Sequence, residues 1–223
     1  MGLRKSAAVT AGSKVAPQVG WSFVRSVLDM AIDGVGPLRS AADSATSRLV
    51  DAGGDVEEAV ASLTRVHTGL AGAQGFVTNL GGLATTAVAV PANVAGVMLV
   101  QCHLVAGIAH LRGYDLEEPR VRNAILACML GRDTVDVLVK QQKLPTGPMA
   151  LATSPVHDPE LDKRIATEVT SELISRTIGR RAITLVARRV PLVGGAVAGG
   201  SDGWATWQVG RYAADELRDR RLG

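Results

Sequence analysis

Apolar side chains recur at three- and four-residue spacing along much of this chain, and the pattern breaks at glycines and prolines. Val19, Phe23, Val27, Met30 and Ala31 fall on one face and predict an amphipathic helix from Pro17 to about Ile32, stopped by Gly34, Gly36 and Pro37. Ser40 with Asp43 forms a capping-box pattern that opens a second helix, ended by Gly53 and Gly54. Asp55 with Glu58 repeats it and opens a third, which runs to Ala73 or beyond and contains Gly69, Gly72 and Gly75 towards its end. An interior glycine costs a helix about 1 kcal/mol relative to alanine, so close approach of a neighbouring helix is the expected compensation. Pro91 starts a helix that continues to Gly113; on it Gly96, His103 and His110 share one side, while Gln101 points almost opposite His103.

Further along, Asp115 and Glu118 precede Pro119 and a helix that turns Val121, Ile125, Cys128 and Met129 inward and ends at Gly131. A shorter helix spans about Asp133 to Gln141. Prolines 145, 148, 155 and 159 mark 143–159 as a surface connection. Asp158, Pro159 and Glu160 open the next helix, which reaches Gly179 or Arg189, and a glycine-dense helix with Trp204 and Trp207 closes the chain. The segment LATTAVAV, before Pro91, alternates as a strand does. It reads as helix because no partner strand is evident elsewhere.

Val66 to Leu111 contains no Asp, Glu, Lys or Arg over 46 residues, although 20% of the chain is charged. This predicts the fold class: all-α, a single helical bundle around a central uncharged Gly/Ala/Val-rich helical hairpin, packed against the glycine-dense C-terminal helix. With three Trp, two Tyr and two Phe, the core is built from small side chains that let backbones approach closely, and Gly81, Gly82, Gly96, Gly194, Gly195 and Gly199 are the expected packing positions. Leu80 to Val100 is also long enough to cross a bilayer. Gly81, Gly82, Thr85, Thr86, Pro91 and Asn93 within that window, and a mean hydropathy of only +0.19, favour a soluble or peripheral bundle over insertion.

The net charge of +3 is too small to argue for nucleic acid, but its distribution is uneven. Residues 1–28 carry four basic side chains and no acid, 29–64 carry seven acids against two Arg, and 173–189 carry five Arg and no acid. Acid-free basic segments suit an anionic surface, though bases near a helix C-terminus also complement its dipole. Residues 1–14 are read as a poorly ordered basic terminus and 15–223 as the helical domain. Cys102 and Cys128 sit in apolar helical patterns with no CxxC spacing, which fits two buried thiols in a reducing compartment. The N-terminus lacks the apolar run and cleavage site of a secretory signal. Met1 to Ser6 matches a myristoylation pattern, discounted because so short a motif often arises by chance.

The order and spacing of several motifs resemble the EcsC family of bacterial proteins. They are Gly81-Gly82, Pro91 opening a long apolar helix, Gly113-Tyr114-Asp115 with Pro119, Pro191 with Gly194, and Val209-Gly210-Arg211 with Ala213. The likeness extends over most of residues 20–218. It implies a helical fold and a bacterial origin. The family takes its name from a protein encoded beside an ABC transporter that affects secretion and protein processing, and the resemblance brings no catalytic residues with it.

Chemistry-bearing patterns are few. Gly194 to Ser201 matches a phosphate-binding loop except that Gly200 stands where the lysine must be, and no strand precedes it, so a nucleotide site is rejected. His103 and His110 are separated by two helical turns, about 10 Å, too far to share one metal ion. No metal or cofactor is therefore expected. The leading expectation is a cytoplasmic, membrane-associated binding protein that recognises anionic lipid or an apolar or acyl ligand accommodated by the small-residue core. Arg180, Arg181, Arg188, Arg189 and Arg211 would meet anionic lipid, Trp204 and Trp207 would sit at the interface, and His103 and His110 would belong to the same ligand or membrane site. Alternatives are an accessory interaction protein that meets a membrane protein complex, and a hydrolase of unrecognised type using His103, His110 and Asp115.

Overall fold

The computed structural model describes residues 21–73, 92–172 and 194–218. Expectations that fall elsewhere lie outside these residues: the basic terminus 1–14, Gly81, Gly82 and LATTAVAV, and the arginine-rich stretch with Arg180, Arg181, Arg188 and Arg189. The fold is all-α. In order the helices are α1 (21–33), α2 (Ala41–Asp51), α3 (Val56–Gly72), α4 (Ala92–Leu111), α5 (Pro119–Leu130), α6 (Arg132–Lys140), α7 (Pro148–Ala152), α8 (159–172) and α9 (Gly194–Glu216). Among the described residues there is no strand; an isolated bridge between Val35 and Leu38 closes the turn between α1 and α2. Gly34 makes that turn possible: its φ is +89°, and a Cβ there would lie 2.6 Å from the Leu38 carbonyl oxygen.

The helix starts follow from their caps. Ser40 Oγ accepts from the Asp43 N–H, and the Asp55 carboxylate accepts from the N–H groups of Glu57 and Glu58, satisfying donors that a first helical turn leaves unpaired. Gly131, at φ +80°, ends α5 and at once begins α6. Asp115 does not cap α5: its carboxylate accepts from the Glu117 N–H in the preceding turn, and Glu118 occupies the cap position without a side-chain bond.

Helix α4 occupies the centre, in contact with α2, α3, α5 and α9. From residue 95 to 109 every side chain except Val97 is buried, which is why an uncharged helix is required there: there is no wet face on which to place a charge. The uncharged segment thus lies in protein from residue 95 to 109, whereas Val66 and Gly69 of α3 are exposed. The expected pairing of α4 with α9 is present, and α9 packs more extensively still against α3. The first arm of the anticipated hairpin falls outside the described residues.

Glycines set the spacing of these helices at Gly107, Gly203 and Gly210. Cβ atoms added at Gly107 and Gly210 would meet Leu63 Cδ2 at 2.6 Å and Thr64 Cγ2 at 2.9 Å. One added at Gly203 would reach the Thr68 carbonyl at 3.2 Å and Gly72 Cα at 3.9 Å. Gly69 faces open space, so its expected role as a contact is corrected. Gly96 is buried in α4, and Gly194, Gly195 and Gly199 lie in the first turns of α9, whose side-chain surroundings are outside the described set.

The 143–159 connection is not wholly a surface loop. Leu144, Pro148, Leu151 and Ala152 are buried, and α7 packs on α5. Charged contacts fasten the outer helices to this frame. Arg122 bonds Asp29 of α1 at 2.7 Å, Arg112 pairs with Glu57 at 2.5 Å, and the buried Asp162 of α8 accepts from Asn123 at 2.6 Å and Arg25 at 3.4 Å.

Candidate functional site

Helix α9 has two faces of opposite kind. Towards the core it presents Gly203, Thr206, Val209, Gly210 and Ala213, all buried. Outward it presents Trp204, Trp207, Gln208, Arg211 and Asp215, at the spacing of a single helical stripe. Trp204 is 58% exposed and Trp207 37%, and their rings stack with centroids 4.8 Å apart and planes inclined by 21°. The Arg211 guanidinium lies 5.5 Å from the Trp207 ring centroid, so cation, indole and indole form a continuous ladder on the surface.

Beside this ladder a groove of about 500 Å³ runs between α9 and the junction of α5 with α6. Gly131, Arg132 and Thr134 line one wall, and Trp207, Arg211 and Tyr212 the other. Arg132 stacks on Tyr212 at 4.9 Å and reaches Asp215 at 3.2 Å and Glu216 at 3.6 Å. Burial, and then the Glu216 carboxylate, push the Tyr212 phenol above its usual range, so it stays neutral at physiological pH. Two Arg and two Asp line the groove, with no large local excess of either sign.

The histidines lie elsewhere. His103 and His110 do share one side of α4, the side facing α2, whereas Gln101 points to α9 and donates to Thr206 Oγ1 at 3.1 Å. His110 Nε2 is 3.1 Å from Thr46 Oγ1. His103, 1% exposed, is bonded to the Arg39 carbonyl and to His67, a residue the spacing of His103 and His110 gave no reason to include. His103 is therefore not on the surface carrying Trp204, Trp207 and Arg211. His103, His110 and Asp115 occupy three different hydrogen-bonding settings, and among the described residues no group of three or more His, Cys, Asp or Glu is placed to hold a metal ion. Gly194 to Ser201 are helical, not a phosphate-binding loop.

The model of the EcsC protein family matches residues 54–222, which span α3 to α9 and include the Trp ladder, the groove and the buried histidines. The chain belongs to the EcsC protein family. No curated protein and no solved structure matches it. Within this EcsC chain, no helix among the described residues is long and apolar enough to cross a membrane. The central helix α4, uncharged as it is, has its neighbours in α2, α3, α5 and α9.

Proposed function

We propose that this protein is a peripheral membrane-binding protein that docks on an anionic lipid surface through the outer stripe of α9. The exposed, stacked Trp204–Trp207 pair with Arg211 over its edge carries the reading. Indole is suited to the boundary between headgroups and acyl chains, because its body is apolar and its N–H can remain hydrated. A guanidinium beside it is placed to meet lipid phosphate. Two of only three Trp in the chain are spent on this stripe, although the core is poor in bulky side chains. Support from charge comes from the sequence: residues 173–189 carry five Arg and no acid.

Flotation with vesicles of mixed phosphatidylserine and phosphatidylcholine at low salt tests this. The protein should float with them, its Trp emission should shift to the blue, and Trp204→Ala/Trp207→Ala should reduce binding by about tenfold or more, roughly 1.4 kcal/mol. Absence of binding, or binding that the double variant leaves intact, refutes it. Recovery with a membrane protein complex in the absence of lipid binding would instead favour the accessory role.

A further inference from the structure

His67 and His103 meet in the interior between α3 and α4, and every ring nitrogen of the two has a partner. His67 Nδ1 lies 2.8 Å from the Leu63 carbonyl, His67 Nε2 lies 2.7 Å from His103 Nδ1, and His103 Nε2 lies 3.0 Å from the Arg39 carbonyl. The rings are inclined by only 22°, and their centroids are 5.0 Å apart. That separation exceeds the N···N distance by about one ring diameter, so the two inner nitrogens point at each other in the ring planes, as donor and acceptor do.

Counting protons decides the state. A carbonyl only accepts, so both outer nitrogens must donate, and a neutral imidazole has one N–H to give. Two neutral rings would then face each other with lone pairs at 2.7 Å. A third proton removes the conflict. The geometry points to a proton-binding site, in which His67 and His103 together hold one extra proton as an imidazole–imidazolium pair that clamps α3 to α4. When the proton leaves, one of the three bonds must break. The Leu63 carbonyl keeps its backbone bond within α3, so the contact between His67 and Leu63 is the one lost, and the rings stay joined by a neutral N–H···N bond.

The surroundings allow one proton and oppose a second. On α2, the Arg48 guanidinium bears on His67 and disfavours charge there, while backbone bonds to Arg39 and Ser40 favour it on His103. On α4, His110 lies two turns further along and is bonded to Thr46. Helix α9 meets α3 and α4 through Gly203, Thr206 and Gly210, with the buried Asp202 one turn before Thr206. Burial, then the other ring and Arg48, pull His67 down to about 4, which excludes the doubly charged pair. Burial also pulls His103 down, against its backbone bonds to Arg39 and Ser40.

The sign follows from the proton count. An unfolded chain holds up to two protons on these rings, each lost near pH 6.5. The fold holds at most one, and burial draws its release below that value. Below about pH 6.5 the unfolded state therefore binds more protons than the folded state, and stability falls on acidification; above it neither state holds these protons and the contribution is level. The pair is expected to give a stability that rises to a plateau above that pH. Full-length protein labelled with ¹⁵N at histidine should show, by NMR, one proton shared between the two inner nitrogens at acid pH, with both outer nitrogens protonated, and loss of one proton from the pair in a single step below pH 6.5. Urea unfolding should show the unfolding constant rising as pH falls below 6.5, about tenfold for each unit by which the pair's release lies below that of a free histidine, a rise reduced in His67→Gln. His110 and His157 remain in that variant and act as its control. Inner nitrogens that never share a proton in the folded wild-type spectrum, or stability that does not decline below pH 6.5, would overturn the proposal; the spectrum needs no variant to fold.

Discussion

Replacing Gly210 by alanine tests the packing that aims the surface of α9. The substitution has two opposed effects. Alanine favours the helix over glycine by about 1 kcal/mol. Against this, the new Cβ would lie 2.9 Å from Thr64 Cγ2, 3.0 Å from Leu104 Cδ2 and 3.2 Å from Thr64 Oγ1. Leu104 can yield by rotating its terminal methyl, but Thr64 is β-branched, buried, and held by its hydroxyl donating to the Val60 carbonyl at 2.8 Å. Moving Thr64 breaks that bond, and moving α9 disturbs its contacts with both α3 and α4. Overpacking of this kind costs about 1–3 kcal/mol, so the net loss expected is about 1 kcal/mol. Gly69→Ala supplies the comparison: it has the same helix preference, nothing within 4 Å of the new Cβ, and an expected gain of about 0.5–1 kcal/mol. Urea unfolding of the two variants measures the difference. If Gly210→Ala is as stable as Gly69→Ala, backbone approach at that point does not limit the fold, and the assignment of Gly210 as a spacer is wrong.

Other expectations can be checked with equally simple measurements. Burial pushes the Cys102 thiol up to about 12 and the Cys128 thiol well above its usual range, so neither should react with a thiol reagent at pH 8 until the protein unfolds; rapid modification of the native state would contradict this. Asp162→Ala should cost about 2 kcal/mol, because it leaves the buried Asn123 amide without its acceptor, whereas Arg25 is partly hydrated and adds little. Calorimetry giving less than half that would show that the carboxylate does not fasten α8 to α5. Trp204→Ala/Trp207→Ala should leave urea stability within about 0.5 kcal/mol of wild type while weakening vesicle binding. A large loss of stability would make the pair part of the fold.

Most of the architecture was legible because helices are signalled locally. Ser40 and Asp55 announce helix starts through bonds made within four residues, and Gly131 stops α5 through its own backbone angle. The absence of charge along α4 reported burial on every side, an effect one helix displays by itself. The site was only partly legible. Trp204, Trp207 and Arg211 share a stripe because 3.6-residue periodicity puts them there, but the groove needs Arg132 and Tyr212 to meet across helices separated by some 80 residues. No local pattern encodes that contact. His67 was missed for the same reason, since its partner is 36 residues away, and its position beside the Gly69 and Gly72 of the same helix drew attention to backbone spacing instead.

The two faces of α9 are linked by this arrangement. Gly203, Thr206 and Gly210 let α9 sit close against α3 and α4, leaving no room on the inner side for an indole at those positions. A change that pushes α9 outward at Gly210 must therefore also shift Trp207 and Arg211 relative to Arg132 on α6, since one rigid helix carries both sets. Gly210→Ala should alter vesicle binding and stability together, whereas the Trp substitutions should alter binding alone. Only a surface held in place by its own packing face predicts that asymmetry.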